Sequence, residues 1–434
     1  IVGPRARTLF MIVIFLLLLV VNAVFAVAIA EALQATPSSV IPVWAAIILA
    51  LGLGQLLYRM KVPLLWPTII GTAILYAVIP LGEVAPIELP ERLLGFSPSA
   101  QWIIILFIYA SIASLLPIWV LLQPRAYINA VQLFVGLGLV YGTIFIAGPT
   151  IVAPAINLNV PIDAPPLLPL LFVTIACGAI SGFHGLVGSG TTSKQLGRET
   201  DARFVGYLGS TGEGALALAA IIATTAGFAS FEEWRAIYTN FESGGLTAFI
   251  QGGATIVSDG SGLTHNTAAT LLTVMAVLFA GTTMDTAVRL QRYVVQEWGT
   301  IYRIPVFRNS YFATFVAVGA CLALAFGAGG RDLTGGMVLW PIFGTTNQLL
   351  ASMTLLVISI ALVRLGRPAR YTLIPMVFVS TVALLSALYQ LLVLYQTSQY
   401  VLMLVDAAIV ISAVFVMLEA FSAFTQRSKP ASVA

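Results

Sequence analysis

Leu9 to Ala30 reads LFMIVIFLLLLVVNAVFAVAIA, a run in which Asn22 is the only polar side chain. As a helix rising about 1.5 Å per residue it reaches about 33 Å, enough to cross a hydrocarbon core about 30 Å thick. Arg5 and Arg7 precede it, and Ala26, Ala28 and Ala30 close it, as in a cleaved signal peptide. A signal h-region is only about 7–15 residues long, however, so the run fits a full span better. It sets the solvent for the rest of the chain.

The remaining composition agrees. Of 434 residues, 59% are apolar and 9% charged, against roughly 45–50% and about 25% in soluble domains. Further apolar windows follow at 40–57, 63–80, 101–122, 128–148, 166–187, 204–228, 263–285, 311–328, 337–363, 371–395 and 399–421. The reading is an all-α polytopic membrane protein with about 12 transmembrane helices, which leaves no room for a large soluble domain. Net charge is +3, too small to suggest nucleic-acid binding. Cys177 and Cys321 lie in apolar runs without metal spacing and read as packing.

Charge tests the twelve windows, because short cytoplasmic loops collect Lys and Arg. With the first visible residues inside, alternate connections hold Arg59 and Lys61, Arg125, Lys194 with Arg198 and Arg203, Arg289 to Arg308, Arg364 to Arg370, and finally Arg427 with Lys429. The opposite side keeps only Arg92, Arg235 and Arg331, together with acids such as Glu31, Glu83, Asp163, Glu242 and Asp332. Both visible ends are therefore expected in the cytoplasm. Residues 81–100 read as a loop. Residues 229–262 begin with the mixed string FEEWRAIY, either a helix along the membrane surface or a short helix in a solvated loop.

Polar groups within spans are costly and usually face protein or water. The densest set is CGAISGFHGLVGSGTTSKQL, Cys177 to Leu196. Its glycines, Gly182 among them, make a poor continuous helix. An interrupted helix frees backbone groups that can line a cavity and bind solute, with Ser181, His184, Ser189, Thr191 and Thr192 alongside. The alternative is a close packing face of small residues. Lys194 follows Ser193 rather than Gly, so the string is not a phosphate-binding P-loop. Glu213 falls near mid-span beside Gly206, Ser210 and Gly214, a stripe that invites a partner helix. There it is either a reversible proton carrier or a hydrogen-bonded structural carboxyl.

Thr282, Thr283 and Asp285 offer oxygens for a small cation, while Asp285 and Arg289 stand four residues apart and can pair. In LWPIFGTTNQLL, Pro341 and Gly344 can break the span, and Asn347 and Gln348 place amides inside it, for solute or for interhelical hydrogen bonds. Asp406 reads as structural and Glu419 as near-interfacial. With only His184 and His265, no His-Glu-x-x-His and no Gly-x-Ser-x-Gly, the chain carries no recognisable enzyme motif.

Five strings together are familiar: Ala113–Asn129 ASLLPIWVLLQPRAYIN, Ala176–Leu196, Asp201–Ala220 DARFVGYLGSTGEGALALAA, Leu278–Glu297 LFAGTTMDTAVRLQRYVVQE, and Leu339–Ala351 LWPIFGTTNQLLA. In this order they resemble the carbon starvation protein A family. The resemblance implies the broken-helix (LeuT-like) architecture of amino acid–polyamine–cation transporters and import of peptides or pyruvate across a bacterial or archaeal cytoplasmic membrane when carbon is scarce. It also implies an N-terminal Gly-His-His-Phe-Ala segment, absent here, so a truncated member is expected. The segment before Glu213, Leu-Gly-Ser-Thr-Gly, departs from the family's bulkier Met-Leu.

The combined expectation is one transmembrane domain over residues 1–434, with a family core to about 363 and a C-terminal helical hairpin over about 364–434. Its function is import of a small organic solute coupled to H⁺ or Na⁺. Ser181, Gly182, His184, Ser189, Thr191, Thr192, Asn347 and Gln348 would bind the solute, and Glu213, Thr282, Thr283 and Asp285 would couple the ion. The bilayer, the solute and the cation are the expected partners; no cofactor, metal or nucleic acid is. A membrane-embedded starvation sensor is the alternative.

Overall fold

The computed structural model describes residues 4–157, 160, 164–176, 178–239, 245–329 and 339–425. Cys177, Asp163, Glu242, Arg331, Asp332, Arg427 and Lys429 lie outside the described residues, as does the side chain of Glu419. In chain order the helices are α1 (Pro4–Ala35), α2 (Val40–Gly54), α3 (Leu65–Val84), α4 (Pro98–Leu115), α5 (Leu122–Ala147), α6 (Phe172–Ala176), α7 (Gly182–Gly190) and α8 (Asp201–Ala226). There follow α9 (Phe231–Ile237), α10 (Gly245–Ser261), α11 (His265–Ile301), α12 (Pro305–Arg308), α13 (Ser310–Gly329), α14 (Leu339–Arg364), α15 (Arg370–Gln396) and α16 (Tyr400–Thr425).

Eleven helices among the described residues are long and apolar enough to cross a membrane. They coincide with eleven of the twelve sequence windows. The other window, 166–187, is no single rod: α6 is followed by a turn at Gly178–Ile180, and α7 starts afresh after Ser181. The glycines and serines of this stretch weaken helix propagation, while Ser181 supplies a cap by accepting the His184 N–H.

Helix α1 is the hub, packed against α11, α16, α14, α13 and α4. Its most apolar window is 72% buried, whereas that of α8 is 6% buried, so α1 is central and α8 peripheral. The one polar side chain of the Leu9–Ala30 run, Asn22, donates to Gln291 Oε1 on α11 at 3.1 Å, and the buried thiol of Cys321 meets the same oxygen at 3.2 Å. One amide thus stitches α1, α11 and α13 together.

Three expectations change. The stretch 229–262 contains, besides α9, the helix α10, whose Ala248, Gly252, Gly253 and Ala254 are buried against α5, α8 and α11. A side chain at Gly227 would strike the Gly252 backbone, so two facing glycines let α8 and α10 touch. Second, α14 is unbroken. Pro341 occupies its first turn, where a missing N–H costs nothing, and Gly344 faces the α6 backbone, where a Cβ would stand 3.2 Å from Thr174 Cα. Third, α11 runs 37 residues, about 55 Å, so Arg289 and Arg292, counted by sequence with the cytoplasmic charges beyond the span, are buried on its inner face.

Candidate functional site

The break between α6 and α7 leaves backbone groups without helical partners, and in a membrane these must be satisfied within the protein. Helix α14 satisfies them. Asn347 Oδ1 accepts the Phe183 N–H at 2.8 Å, Asn347 Nδ2 donates to Ser181 Oγ at 3.1 Å, and Gln348 Nε2 donates to the Ile180 carbonyl at 2.7 Å. Both amides are buried. They clamp the interruption from its two sides, one holding a donor and the other an acceptor. Gly182 permits the contact, since a Cβ there would lie 2.5 Å from the Asn347 carbonyl oxygen and 2.6 Å from Ala351 N. An apolar cleft lined by Phe172, Val173, Ala176, Ile180, Gln348 and Phe378 opens beside the turn.

His184, in the first turn of α7, points its Nε2 at Glu213 Oε2 on α8, 3.3 Å away. The two side chains are 62% and 40% exposed. They form an acid–base couple on a face that the described part of this chain leaves open. No atom among the described residues lies within 4 Å of a Cβ at Gly206, Gly209, Gly212 or Gly214. The small-residue stripe beside Glu213 therefore meets no helix among them.

Asp285 does not form the pair with Arg289 that their spacing suggests. It turns to Arg125 in the first turns of α5, Nη1 to Oδ2 at 2.7 Å, with both side chains at most 3% exposed. The Tyr109 hydroxyl donates to Asp285 Oδ2 at 2.7 Å and stands 2.6 Å from Arg125 Nη1. Arg125 Nη2 and Asn129 Nδ2 both donate to the Leu278 carbonyl at 3.2 Å, and Asn129 also donates to Thr282 Oγ1 at 2.8 Å. Arg289 instead donates to the Ala113 carbonyl at 2.7 Å. A Cβ on Gly281 would come to 2.5 Å from Arg125 Nη2, so this glycine makes the bed for the guanidinium.

The remaining sequence candidates stand apart. Thr283 Oγ1 donates to the Phe279 carbonyl and Ser189 Oγ to the Leu186 carbonyl of their own helices. Thr191 and Thr192 close α7. Tyr109, Arg125 and Asn129 were missed by sequence reasoning, which placed Arg125 in a loop. The available signal was the i, i+4 spacing of Arg125 and Asn129 inside the Ala113–Asn129 string, an arrangement that puts both on one helical face.

Long apolar helices around buried polar clusters, one of them at a helix break, define a multi-pass helical membrane protein built to surround a polar site. The family model described as carbon starvation protein CstA matches residues 1–232 and 230–386, and the chain belongs to that family. Among similar curated proteins, the peptide transporter CstA of Campylobacter jejuni is 30% identical over 88% of this chain and 62% of its own. That of Helicobacter pylori is 32% identical over 60% and 45%. The pyruvate/proton symporter BtsT of Escherichia coli is 33% identical over 51% and 32%. The chain thus spans about half the length of these relatives.

Proposed function

We propose that the protein is a secondary transporter that imports a small organic solute, pyruvate or a peptide, across the cytoplasmic membrane together with a proton. The observation that carries this reading is the interrupted helix at Gly178–Ser181, clamped by Asn347 and Gln348, with the His184–Glu213 couple beginning one turn later. Broken helices place solute sites near the bilayer midplane, because freed backbone dipoles there can be exchanged between protein and ligand. An imidazole facing a carboxylate supplies two side chains that can each hold a proton and pass it between them. The names of the relatives supply the solute classes and, for one of them, the proton.

In this reading Ser181, His184, Ser189, Thr191 and Thr192 face the solute path while Gly182 seats α7 on α14, Glu213 carries the coupled proton, and both visible ends lie in the cytoplasm. Asn347 and Gln348 hold the break open rather than touching the solute first. Proteoliposomes carrying the full-length protein test the proposal: labelled pyruvate or dialanine should accumulate when the outside is acidified and only equilibrate when it is not. Absence of uptake of both solutes, or accumulation driven by Na⁺ and indifferent to the pH gradient, contradicts it.

A further inference from the structure

We infer that Arg125 is the residue that recognises the carboxylate of the solute, and that Asp285 holds its place in the conformation described. This rests on the transporter reading above and assigns one of its contacts.

The pair is buried but incompletely matched. An arginine and a carboxylate that serve only to brace a fold tend to meet fork to fork, with two parallel hydrogen bonds. Here Asp285 offers Arg125 one oxygen, at 2.7 Å, while Asp285 Oδ1, Arg125 Nε and Asn129 Oδ1 are buried without hydrogen-bond partners among the described residues. The guanidinium therefore keeps donor capacity that a second carboxylate can use bidentately. Buried unsatisfied polar atoms are uncommon, and the one donor among these three, Arg125 Nε, is the atom that a second carboxylate would satisfy.

The exchange has somewhere to send Asp285. Arg289 lies one turn further along α11, holds the Ala113 carbonyl by Nη2 and leaves its own Nε without a partner. When a ligand carboxylate takes Arg125, Asp285 can turn to Arg289 at i, i+4, so no charge is left alone in the interior. The charged and titratable groups around Asp285 are Tyr109 from α4, Arg125 from α5 and Arg289 on its own helix. The end of the broken helix packs on the same long helix as Asp285: a Cβ at Gly190, the last residue of α7, would stand 3.5 Å from Leu290 of α11. A carboxylate is, moreover, the group that pyruvate and a free peptide have in common, and Arg presents the planar fork that fits it.

The experiment compares inhibition of labelled-pyruvate uptake by dialanine and by dialanine amide, which lacks the carboxylate, in proteoliposomes of the full-length protein. The wild type should prefer the free acid by tenfold or more. Arg125→Lys, which keeps the charge but loses the fork, should raise the KM for pyruvate about tenfold with little change in maximal rate. Asp285→Asn should lower that KM, a result that loss of a brace does not give. The charge-neutral Arg125→Gln/Asp285→Asn protein should lose the preference between acid and amide. If any properly folded variant lacking the guanidinium keeps the wild-type preference, or if Asp285→Asn raises the KM, the assignment is overturned while the transporter reading stands. A wild type that takes up no pyruvate and no dialanine overturns both.

Discussion

Replacing Asn347 by Ala removes the clamp on one side of the helix break. Two hydrogen bonds vanish, from Phe183 N–H at 2.8 Å and to Ser181 Oγ at 3.1 Å. Interhelical hydrogen bonds in membranes average only about 0.6 kcal/mol each, with a maximum near 1.7, so these alone predict a mild effect. The larger component is the Phe183 amide. It belongs to the start of α7, has no helical partner, and is left part-buried without an acceptor at about 1–3 kcal/mol. The expected loss is about 2–4 kcal/mol, with the backbone contributing most. Asn347→Asp separates the components, because it keeps an acceptor for Phe183 and loses only the donor to Ser181. Thermal unfolding in detergent, combined with hydrogen exchange at Phe183, reads both. Asn347→Ala should unfold at clearly lower temperature and exchange faster at Phe183, with Asn347→Asp in between. Equal stability of wild type and Asn347→Ala, or protection at Phe183 that survives it, refutes the clamp.

Other consequences follow from the same contacts. Gly182→Val should displace α7 from α14, because its Cβ would stand 2.5–2.6 Å from backbone atoms of Asn347 and Ala351 that cannot give way. Uptake should fall at least tenfold, whereas Gly206→Ala, with open space around it, should leave uptake near wild type. Asp285→Leu should cost about 3–5 kcal/mol by leaving the buried Arg125 guanidinium without its counter-ion, and Arg125→Met/Asp285→Leu should recover most of it. Denaturation of the three proteins checks this, and equal loss in single and double variants would count against the pair. Asp406 is fully buried in α16 and neither of its oxygens has a partner among the described residues. Asp406→Leu should therefore stabilise the protein by about 1–3 kcal/mol, visible as a raised unfolding temperature; a lowered one contradicts the assignment.

The spans were legible because bilayer thickness imposes a length on each apolar run, and a run such as Leu9–Ala30 has few ways to fold in lipid. The break at Cys177–Leu196 was legible for the complementary reason: Gly and Ser density removes the propensity that a continuous helix needs. What sequence could not supply was long-range pairing. Asp285 has a neighbour of opposite charge four residues away, and local spacing favours it, yet the contact made is with Arg125, 160 positions distant. Which cation wins depends on how α4, α5 and α11 cross and on the room left by Gly281, neither of which has a local signature. Asn347 likewise read as a solute ligand or, slightly better, as a helix bond, and its actual partner, the Phe183 N–H, has no local signature. The Pro341–Gly344 pair misled because a proline in a first turn looks, in one dimension, like a proline in a helix interior.

Everything proposed for the site requires that a proton enter with the solute by way of Glu213. The direct measurement uses proteoliposomes of the full-length protein with a pH indicator trapped inside and no gradient imposed. Adding pyruvate or dialanine outside should acidify the interior of wild-type vesicles, and Glu213→Gln should abolish that acidification while retaining exchange of labelled for unlabelled solute. Solute entry without any change in internal pH, or full acidification by Glu213→Gln, would contradict the account.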